Sequence, residues 1–445
     1  MANDEHIMST RRGVLALVGT TALAGCNAIP TDPFGEHPIQ LDGAKLQALA
    51  EQEIPTIPER VVVDIEQSYL DSRRARIREL LAAVPTPFSS REIPNGAIRE
   101  ELASMHRRTL EMLDAADDAE SRYETLTSLR NVRSQAGELN TAWQAIDADL
   151  TREALLEDSA TVRQGVRAFD DSWQYVGTDA VRAVLIADRI ERSVERAIGV
   201  TSVDREELKA EQENPITVGE LGGDIEQARA LLDDSVYLYD RYTTSLTDPT
   251  DLSGTIRSAA ASAVGAIEAR QDDLPEFNPE NPAATFGQDI EDTPAAWALE
   301  ELYDYVSETY GIDHARSNDQ PARVILEAQE AFARMQAFTS LYERIDEGER
   351  FAIEAVSDVK ALRSTAVEAV TAAASEAPDP RLTHRIATDL AGAIRYTDRE
   401  FTDLRDEIEA QWIARDVGFY VTTAAVARAV PDAVDRTLSI FEKSS

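Results

Sequence analysis

The sequence is poor in cysteine and in positive charge. Cys26 is the only cysteine among 445 residues, which argues against disulfides and against a cysteine metal site. Lysine and arginine together number 44, against 82 aspartates and glutamates, so the formal net charge is −38. Because the sequence has no basic stripe to neutralise phosphates, nucleic acid is not expected as a partner.

The sequence also lacks the residue sets that common catalytic chemistry requires. It has no His-Glu-x-x-His zinc helix, no Gly-x-Ser-x-Gly elbow, no phosphate loop and no EF-hand loop. Its five histidines are scattered, and carboxylate pairs such as Glu300-Glu301 are expected by chance in so acidic a chain. No catalytic residue, metal or cofactor is therefore predicted, and the sequence favours a protein that is not an enzyme.

Strand patterns are absent, whereas helical patterns are abundant. No region shows the regular alternation and paired turns of a sheet. From Ala97 to Leu150, apolar residues recur at steps of four and three without a proline, which predicts one coiled-coil-like helix of ~80 Å. The sequence therefore predicts an all-α fold, an elongated helical bundle with long coiled-coil-like helices.

Prolines, glycines and capping residues predict where the other helices begin and end. A helix is predicted from Thr56 to Val84, with Thr56 and Glu59 as its capping box. A second long proline-free stretch covers residues 320–376, in which Gly348 is expected to produce a bend. Pro431 is expected to separate a terminal helix from the preceding one.

The helical pattern fails between Gly199 and Gly223, where glycines and one proline flank a charged patch. This composition predicts a boundary between two helical halves. After Cys26 the chain has three prolines and no helical period, as a tether would. The predicted organisation is a signal at 1–25, a tether at 26–41, an N-terminal helical bundle at 42–199, a linker at 200–223 and a C-terminal helical bundle at 224–445.

The N-terminal segment has the features of an export address. Arg11 and Arg12 precede an apolar segment, residues 13–25, whose roughly twelve apolar or small residues are fewer than the ~20 that span a bilayer. The paired arginines resemble a twin-arginine signal, and Leu23-Ala24-Gly25 before Cys26 resembles a lipobox. The resemblance implies cleavage before Cys26 and a lipid thioether on its sulfur. The lipid would fasten a soluble body to the outer face of the cytoplasmic membrane.

The basic residues are almost all arginine. With four lysines among 44 basic residues, 44 − 4 = 40 are arginines, a bias that helix propensity does not require. An acidic, lysine-poor, arginine-rich chain with a twin-arginine signal resembles haloarchaeal exported lipoproteins. In molar salt the Debye length falls to ~3 Å, so the resemblance implies that salt screens the charge and stabilises the fold.

Three residues are candidates for binding a ligand: His314, Tyr239 and Tyr303. His314 follows Gly311 in a predicted polar loop. Tyr239 and Tyr303 lie on separate helices, each with further tyrosines, in a chain that is only 6% aromatic. Tyrosines can line a binding cleft, but their helical spacing with leucines is what a bundle core requires, and the spacing favours the core.

Two functions agree with these features. The first is a surface interaction or scaffold protein, anchored at Cys26, that presents helix faces to a protein partner. The alternative is an extracytoplasmic binding lipoprotein that holds a solute or a cation between its halves. A hydrolase is a distant third, because neither a catalytic base nor a nucleophile can be named.

Overall fold

The structure is a computed structural model that describes residues 38–57, 62–119, 121–202, 214–279, 281–287 and 290–444. The signal with Arg11 and Arg12, the lipidation residue Cys26 and the tether up to residue 37 lie outside the described residues. Residues 203–213 of the predicted linker also lie outside them. From Ile39 onward the chain forms one compact unit.

The fold is all-α, as predicted. The helices are α1 (Gly43–Ala50), α2 (Gln67–Ala82), α3 (Gly96–Ala115), α4 (Arg122–Asp147), α5 (Arg152–Asp170), α6 (Ala180–Val200), α7 (Pro215–Thr244), α8 (Ser253–Gln271), α9 (Pro282–Phe286), α10 (Pro294–Ser307), α11 (Tyr310–Ser317), α12 (Pro321–Asp346), α13 (Val356–Glu376), α14 (Pro380–Phe401) and α15 (Ala414–Ser444). Four short strands form two antiparallel pairs. Strand β1 (Gln40–Asp42) pairs with β4 (Glu407–Glu409), and β2 (Val176–Gly177) pairs with β3 (Thr250–Asp251).

The single long helix predicted from Ala97 to Leu150 is wrong. Helix α3 ends at Ala115, a 3₁₀ turn follows at Ala116–Asp118, and α4 begins at Arg122. Ser121 ends the break, because its side chain accepts a hydrogen bond from the backbone N–H of Glu124 at 3.1 Å and so caps α4. Helices α3 and α4 pack on each other, so the apolar seam is buried within one chain.

The predicted linker at residues 200–223 also differs from the structure, because its last residues are helical. Helix α7 begins at Pro215, and Asn214 and Thr217 form a capping box at its start. Three of the glycines that suggested a linker, Gly219, Gly222 and Gly223, are buried where α7 packs along α4. A Cβ on Gly219 would lie 2.7 Å from the carbonyl oxygen of Glu138, and one on Gly222 would lie 2.3 Å from Cβ of Thr141. These glycines permit a close helix contact.

Replacing Gly219 by alanine is expected to lower the free energy of unfolding by about 1–3 kcal/mol, because α4 must move away from the new methyl group. The nearest atom is a backbone oxygen, which no side-chain rotation can remove. Gly265 is the matched control: it lies inside α8, and a Cβ there meets nothing within 4 Å. Gly265→Ala should raise the free energy of unfolding by up to about 1 kcal/mol through helix propensity. Urea unfolding at constant high salt, followed by circular dichroism, measures both, and equal effects would contradict the close contact.

Several other helix boundaries differ from their predictions. Residues 56 and 57 are not helical, and α2 begins only at Gln67. The stretch 320–376 is broken rather than bent, because α12 ends at Asp346 and Gly348 adopts a φ of +96°. Asp358 then accepts a hydrogen bond from the Ala355 N–H at 2.8 Å and caps α13. Pro431 lies inside α15, which continues through it to Ser444.

A buried ion pair fastens α13 to α14. The Arg363 guanidinium donates to both carboxylate oxygens of Asp398, at 2.9 and 2.7 Å, and each side chain is almost fully buried. The Tyr420 hydroxyl donates to the same carboxylate from α15, and Arg363 also donates to the carbonyl oxygen of Gln52 at 2.8 Å. Three helices and the end of α1 therefore meet at one carboxylate.

Candidate functional site

A cavity of about 1060 Å³ lies among α4, α6 and α14. Residues 55–57 and the connection between α3 and α4 complete its wall. Seven arginines line it: Arg130, Arg189, Arg192, Arg196, Arg381, Arg385 and Arg395. We call this space the arginine cavity.

Helical spacing brings the arginines to the same side. On α6, Arg189, Arg192 and Arg196 follow one another at steps of three and four, which places them on one face. On α14, Arg385 follows Arg381 by one turn, and Arg395 lies ten residues further along the same face. The opposite faces of both helices carry the apolar residues that pack into the core. The core thus fixes which residues face the cavity.

The wall reverses the charge ratio of the whole chain. Acidic residues outnumber basic ones by 82 to 44 in the sequence. Among the described residues of the wall, seven are arginines and four carry carboxylates, those of Asp118, Glu124, Asp188 and Asp389. A positively charged concave surface in an acidic protein attracts anions locally, because low-dielectric walls concentrate the field of the charges that line them.

Four of the seven arginines are held by carboxylates. Arg130 donates from Nε to Asp234 at 3.0 Å, and Arg385 lies 3.2 Å from Glu330. In addition, Arg192 contacts Asp188 and Glu327, and Arg381 contacts Asp179 and Asp379. These pairs hold the four guanidinium groups in place before any ligand arrives, as preorganised binding groups are held.

The remaining three arginines have no carboxylate partner among the described residues. The Arg189 guanidinium lies over the ring of Tyr123, 3.8 Å from its centroid, and makes a cation–π contact. Arg196 and Arg395 are exposed. The buried Nε of Arg385 likewise has no hydrogen-bond acceptor among the described residues. The wall therefore has N–H donors that no protein carboxylate satisfies.

Electrostatics keep the supporting carboxylate on α12 ionised. Burial raises the pKa of Glu330, but Arg385 and Arg334 outweigh burial, so its pKa lies below its usual value. Ionised Glu330 contacts both guanidinium groups, that of Arg334 at 3.0 Å. Glu330 thus partly neutralises the charge of Arg385. No carboxylate of the described residues neutralises the charges of Arg189, Arg196 and Arg395.

Glu191 fixes the position of α6. Its buried carboxylate accepts hydrogen bonds from the backbone N–H groups of Ala322, at 3.1 Å, and Arg323, at 2.8 Å, at the start of α12. The Tyr175 hydroxyl donates to it at 2.8 Å. Burial raises the pKa of Glu191 to about 8, although the three donors act in the opposite direction. The contact joins the helix that carries three of the cavity arginines to the N-terminus of α12.

The rest of the wall is mixed. Hydroxyl groups that can donate hydrogen bonds line it at Thr56, Ser121, Thr127, Ser128, Ser193 and Thr388. Apolar side chains line it at Ile57, Val62, Leu185, Leu231 and Leu326. Guanidinium and hydroxyl donors suit an oxyanion, because Arg presents a planar fork that matches carboxylate and phosphate oxygens. The apolar part can cover carbon atoms of the same ligand.

His314 does not line the arginine cavity. The predicted polar loop around it is wrong, because Gly311 and His314 lie in α11. Its imidazole contacts the carboxylate of Glu195, which also pairs with Arg323. Among the described residues no three histidine, cysteine, aspartate or glutamate side chains are grouped as metal ligands would be.

Tyr239 and Tyr303 lie outside the arginine cavity too. The Tyr239 hydroxyl accepts a hydrogen bond from the backbone N–H of Gln174 at 3.1 Å, and its ring packs edge-on against Phe169 and Trp173. Tyr303 lies beside Phe277, with ring centroids 5.4 Å apart, on the wall of a second, more open cavity of about 970 Å³. The two tyrosines therefore do not form one site.

Sequence reasoning missed the cavity arginines, although the chain carries a signal for three of the seven. Arginines at steps of three and four on one helix face, as at 189, 192 and 196, are a visible pattern in an acidic chain. Their meeting with Arg381, Arg385 and Arg395 follows from tertiary packing, which spacing along the sequence does not contain.

No helix in the described part of the chain is long and apolar enough to cross a bilayer.

Two protein families match the chain. Residues 68–248 match a family described as a domain of unknown function (DUF8262), and residues 253–439 match a second one (DUF8264). No curated protein and no solved structure matches the chain. The matched ranges meet at residues 249–252, just after α7, whereas the predicted boundary lay at residues 200–223. The division into two helical bundles stays a prediction.

Proposed function

We propose that this protein is an extracytoplasmic lipoprotein, anchored to the outer face of the membrane through Cys26, that binds an anionic solute in the arginine cavity. One observation supports the binding role above all: seven arginines line a cavity of about 1060 Å³ in a chain of net charge −38. This is the solute-binding alternative from the sequence, with the ligand specified as an anion rather than a cation.

The cavity size suits a small organic anion. Ligand sites of roughly 300–1,000 Å³ hold drug-sized molecules, and the arginine cavity, at about 1060 Å³, is slightly larger than that range. The charged and the apolar parts of the wall then contact different parts of the ligand. Oxyanion groups bind guanidinium and hydroxyl donors, and the carbon skeleton packs on side chains such as Leu185 and Leu326.

High salt restricts which anions can bind. With a Debye length of ~3 Å at 1 M, only groups in direct contact attract one another. Chloride is then abundant, so a ligand must gain its affinity from several directed hydrogen bonds at once. Carboxylates and phosphates do so, because each can accept two N–H bonds from one guanidinium.

Calorimetric titration of residues 27–445 in about 2 M KCl, where the Debye length is shortest, tests the proposal. The panel contains inorganic phosphate, sulfate, dicarboxylates, sugar phosphates and nucleotides, with divalent cations as the competing class. At least one anion is expected to give saturable heat. A saturable response to cations alone would favour the cation-binding alternative, and no saturable response at all would leave the scaffold role.

Arginine variants test whether the heat of anion binding comes from the arginine cavity. Arg189→Gln and Arg395→Gln remove guanidinium groups that hold no carboxylate among the described residues, so the fold should be unaffected. Each is expected to weaken binding about 10-fold to 100-fold, since a charge-assisted hydrogen bond contributes about 1.5–3 kcal/mol. Arg316→Gln is the control, because Arg316 is exposed on α11 and is not on the wall. If both cavity variants bind as tightly as the control, the anion site lies elsewhere.

A further inference from the structure

One large apolar side chain stands out from the surface. Trp412 is 68% exposed, more than any other large apolar residue in the described part of the chain. It lies in the 3₁₀ turn Ala410–Ile413, and Ala410 and Ile413 on either side of it are 8% and 2% exposed. The turn is thus held by two buried neighbours while it presents the indole to solvent. Tryptophan is usually largely buried in folded proteins, so the exposure of Trp412 indicates a site of interaction.

The start of the body is joined to this turn. Strand β1 pairs with β4, and the backbone N–H of Ala410 donates to the carbonyl oxygen of Ile39 at 2.9 Å. Ile39 is itself 43% exposed. A Cβ on Gly43 would lie 2.2 Å from the carbonyl oxygen of Asp406, so the two segments also approach closely at the other end of the pairing. Ile39 and Trp412 therefore belong to one end of the molecule.

The chain between Cys26 and Ile39 limits the distance of this end from a lipid on Cys26. The two residues are 39 − 26 = 13 positions apart. A chain of that length reaches at most about 45 Å when fully extended. The body is joined to the anchor through Ile39, so the end that carries Trp412 is the part that the anchor holds near the membrane.

We infer that the end of the body carrying Ile39 and Trp412 rests on the membrane surface, with the indole of Trp412 in the interfacial layer. The inference rests on the Cys26 anchor of the proposed function. An indole suits this layer because it has an apolar body and a polar N–H. A lipid and a protein side chain together hold a protein more firmly than one chain alone, since a single acyl chain gives only reversible binding.

The charges near Trp412 make the strength of the membrane contact depend on salt concentration. Beside the turn, the exposed acidic residues Asp403, Asp406 and Glu407 outnumber the exposed basic ones, Arg405 and Arg415. The acidic charges oppose approach to an anionic surface at low salt, and molar salt screens them. The apolar contact should therefore strengthen as salt rises, whereas a contact made by basic residues would weaken.

The test uses the single cysteine. Residues 26–445 contain the whole compact unit from Ile39, and Cys26 is their only thiol. Coupling Cys26 to a maleimide lipid in vesicles of phosphatidylcholine and anionic phosphatidylglycerol therefore gives a defined anchor at one position on a negatively charged surface. Brominated acyl chains quench a tryptophan that enters the interface. The expected loss is up to about one quarter of the emission, the share of one tryptophan in four, relative to unbrominated vesicles, and it should grow between about 0.1 and 2 M KCl.

Two variants decide the assignment. Trp412→Phe should remove nearly all of the quenching, because Trp143 is buried and Trp173 and Trp297 are only partly exposed, although Trp297 lies close to the turn, beside Gly418 and Arg415 of α15. Val236→Ala is the matched control, because Val236 is 46% exposed on α7 and should leave quenching unchanged. Absence of quenching in the wild type, or quenching that survives Trp412→Phe, would overturn the inference. So would a dimer that forms without vesicles and is lost in Trp412→Phe, because a second copy would then cover the indole.

Failure of the proposed function would be seen separately. Mass spectrometry of the mature N-terminus reports whether Cys26 carries a lipid in the cell, and calorimetry reports anion binding. Neither result depends on Trp412, and the coupled vesicles test the surface contact with an anchor of known chemistry.

Discussion

Replacing Asp398 by alanine is expected to lower the free energy of unfolding by about 3–5 kcal/mol. The Arg363 guanidinium is then left with its charge in the core, where its side chain is only 3% exposed. The Tyr420 hydroxyl loses its acceptor at the same time. Removing one partner of a buried pair costs more than the pair itself contributes, because the other charge stays desolvated. Urea unfolding at constant high salt gives the change, since urea adds no ions.

An exposed ion pair supplies the control. The Arg257 and Asp319 side chains are 52% and 72% exposed, so Arg257→Ala should change the free energy of unfolding by at most about 1 kcal/mol. The double variant Arg363→Met with Asp398→Leu removes both charges and is expected to recover part of the loss, because apolar residues of similar volume can replace a buried pair. The Tyr420 hydroxyl still lacks its acceptor in that variant. If Asp398→Ala changes the free energy of unfolding as little as Arg257→Ala does, the Arg363 charge is not trapped in the core.

The fold class could be predicted because long apolar periods are a local property of the chain. Apolar residues recur at helical spacing between Leu185 and Ile198, and the structure has this stretch within α6. The break between α3 and α4 was missed because the apolar rhythm continues across it. A single serine caps α4 there, and no proline or glycine marks the stop. The spacing of apolar residues indicates that a stretch is helical. A single capping hydrogen bond can set the residue at which a helix begins.

The glycines of α7 show a second limit. A cluster of Gly219, Gly222 and Gly223 is typical of a linker and equally typical of a helix that packs closely on another. Only the partner surface distinguishes the two, and in this protein that surface includes Glu138 and Thr141 on α4. The partner lies some 80 positions earlier in the chain. Composition alone therefore predicted a linker where the structure has a close contact.

The arginine cavity shows the same dependence on packing. Catalytic motifs that are visible in a sequence are often groups of residues close together in the chain. The cavity instead combines α6 and α14, which are separated by almost two hundred residues. Each helix has a basic face, and the sequence of either helix alone predicts that this face is exposed to solvent. Only their packing around one cavity makes those faces a candidate binding site.

Removing salt is expected to unfold residues 27–445 cooperatively, with loss of helical circular dichroism. The charge of −38 is spread over an accessible surface of 24821 Å², and at about 0.01 M salt the Debye length of ~30 Å lets charges on neighbouring helices repel one another. At molar salt the repulsion is screened beyond ~3 Å. Ion pairs such as Arg133 with Glu226, buried between α4 and α7, are screened least and remain.

Salt has two opposing effects on the stability of the fold, and one of them is larger. Salt weakens exposed pairs, which contribute about 0–1 kcal/mol each, and it relieves a repulsion that involves every surplus carboxylate. Repulsion is therefore expected to dominate, and the melting temperature should rise steeply between about 10 mM and 2 M KCl. A non-ionic osmolyte leaves the Debye length unchanged, so matched sucrose should restore much less helix at low salt. Mild acid should restore part of it by protonating carboxylates, although it also removes Arg–carboxylate pairs. An unchanged melting temperature across this salt range would contradict the dominance of repulsion.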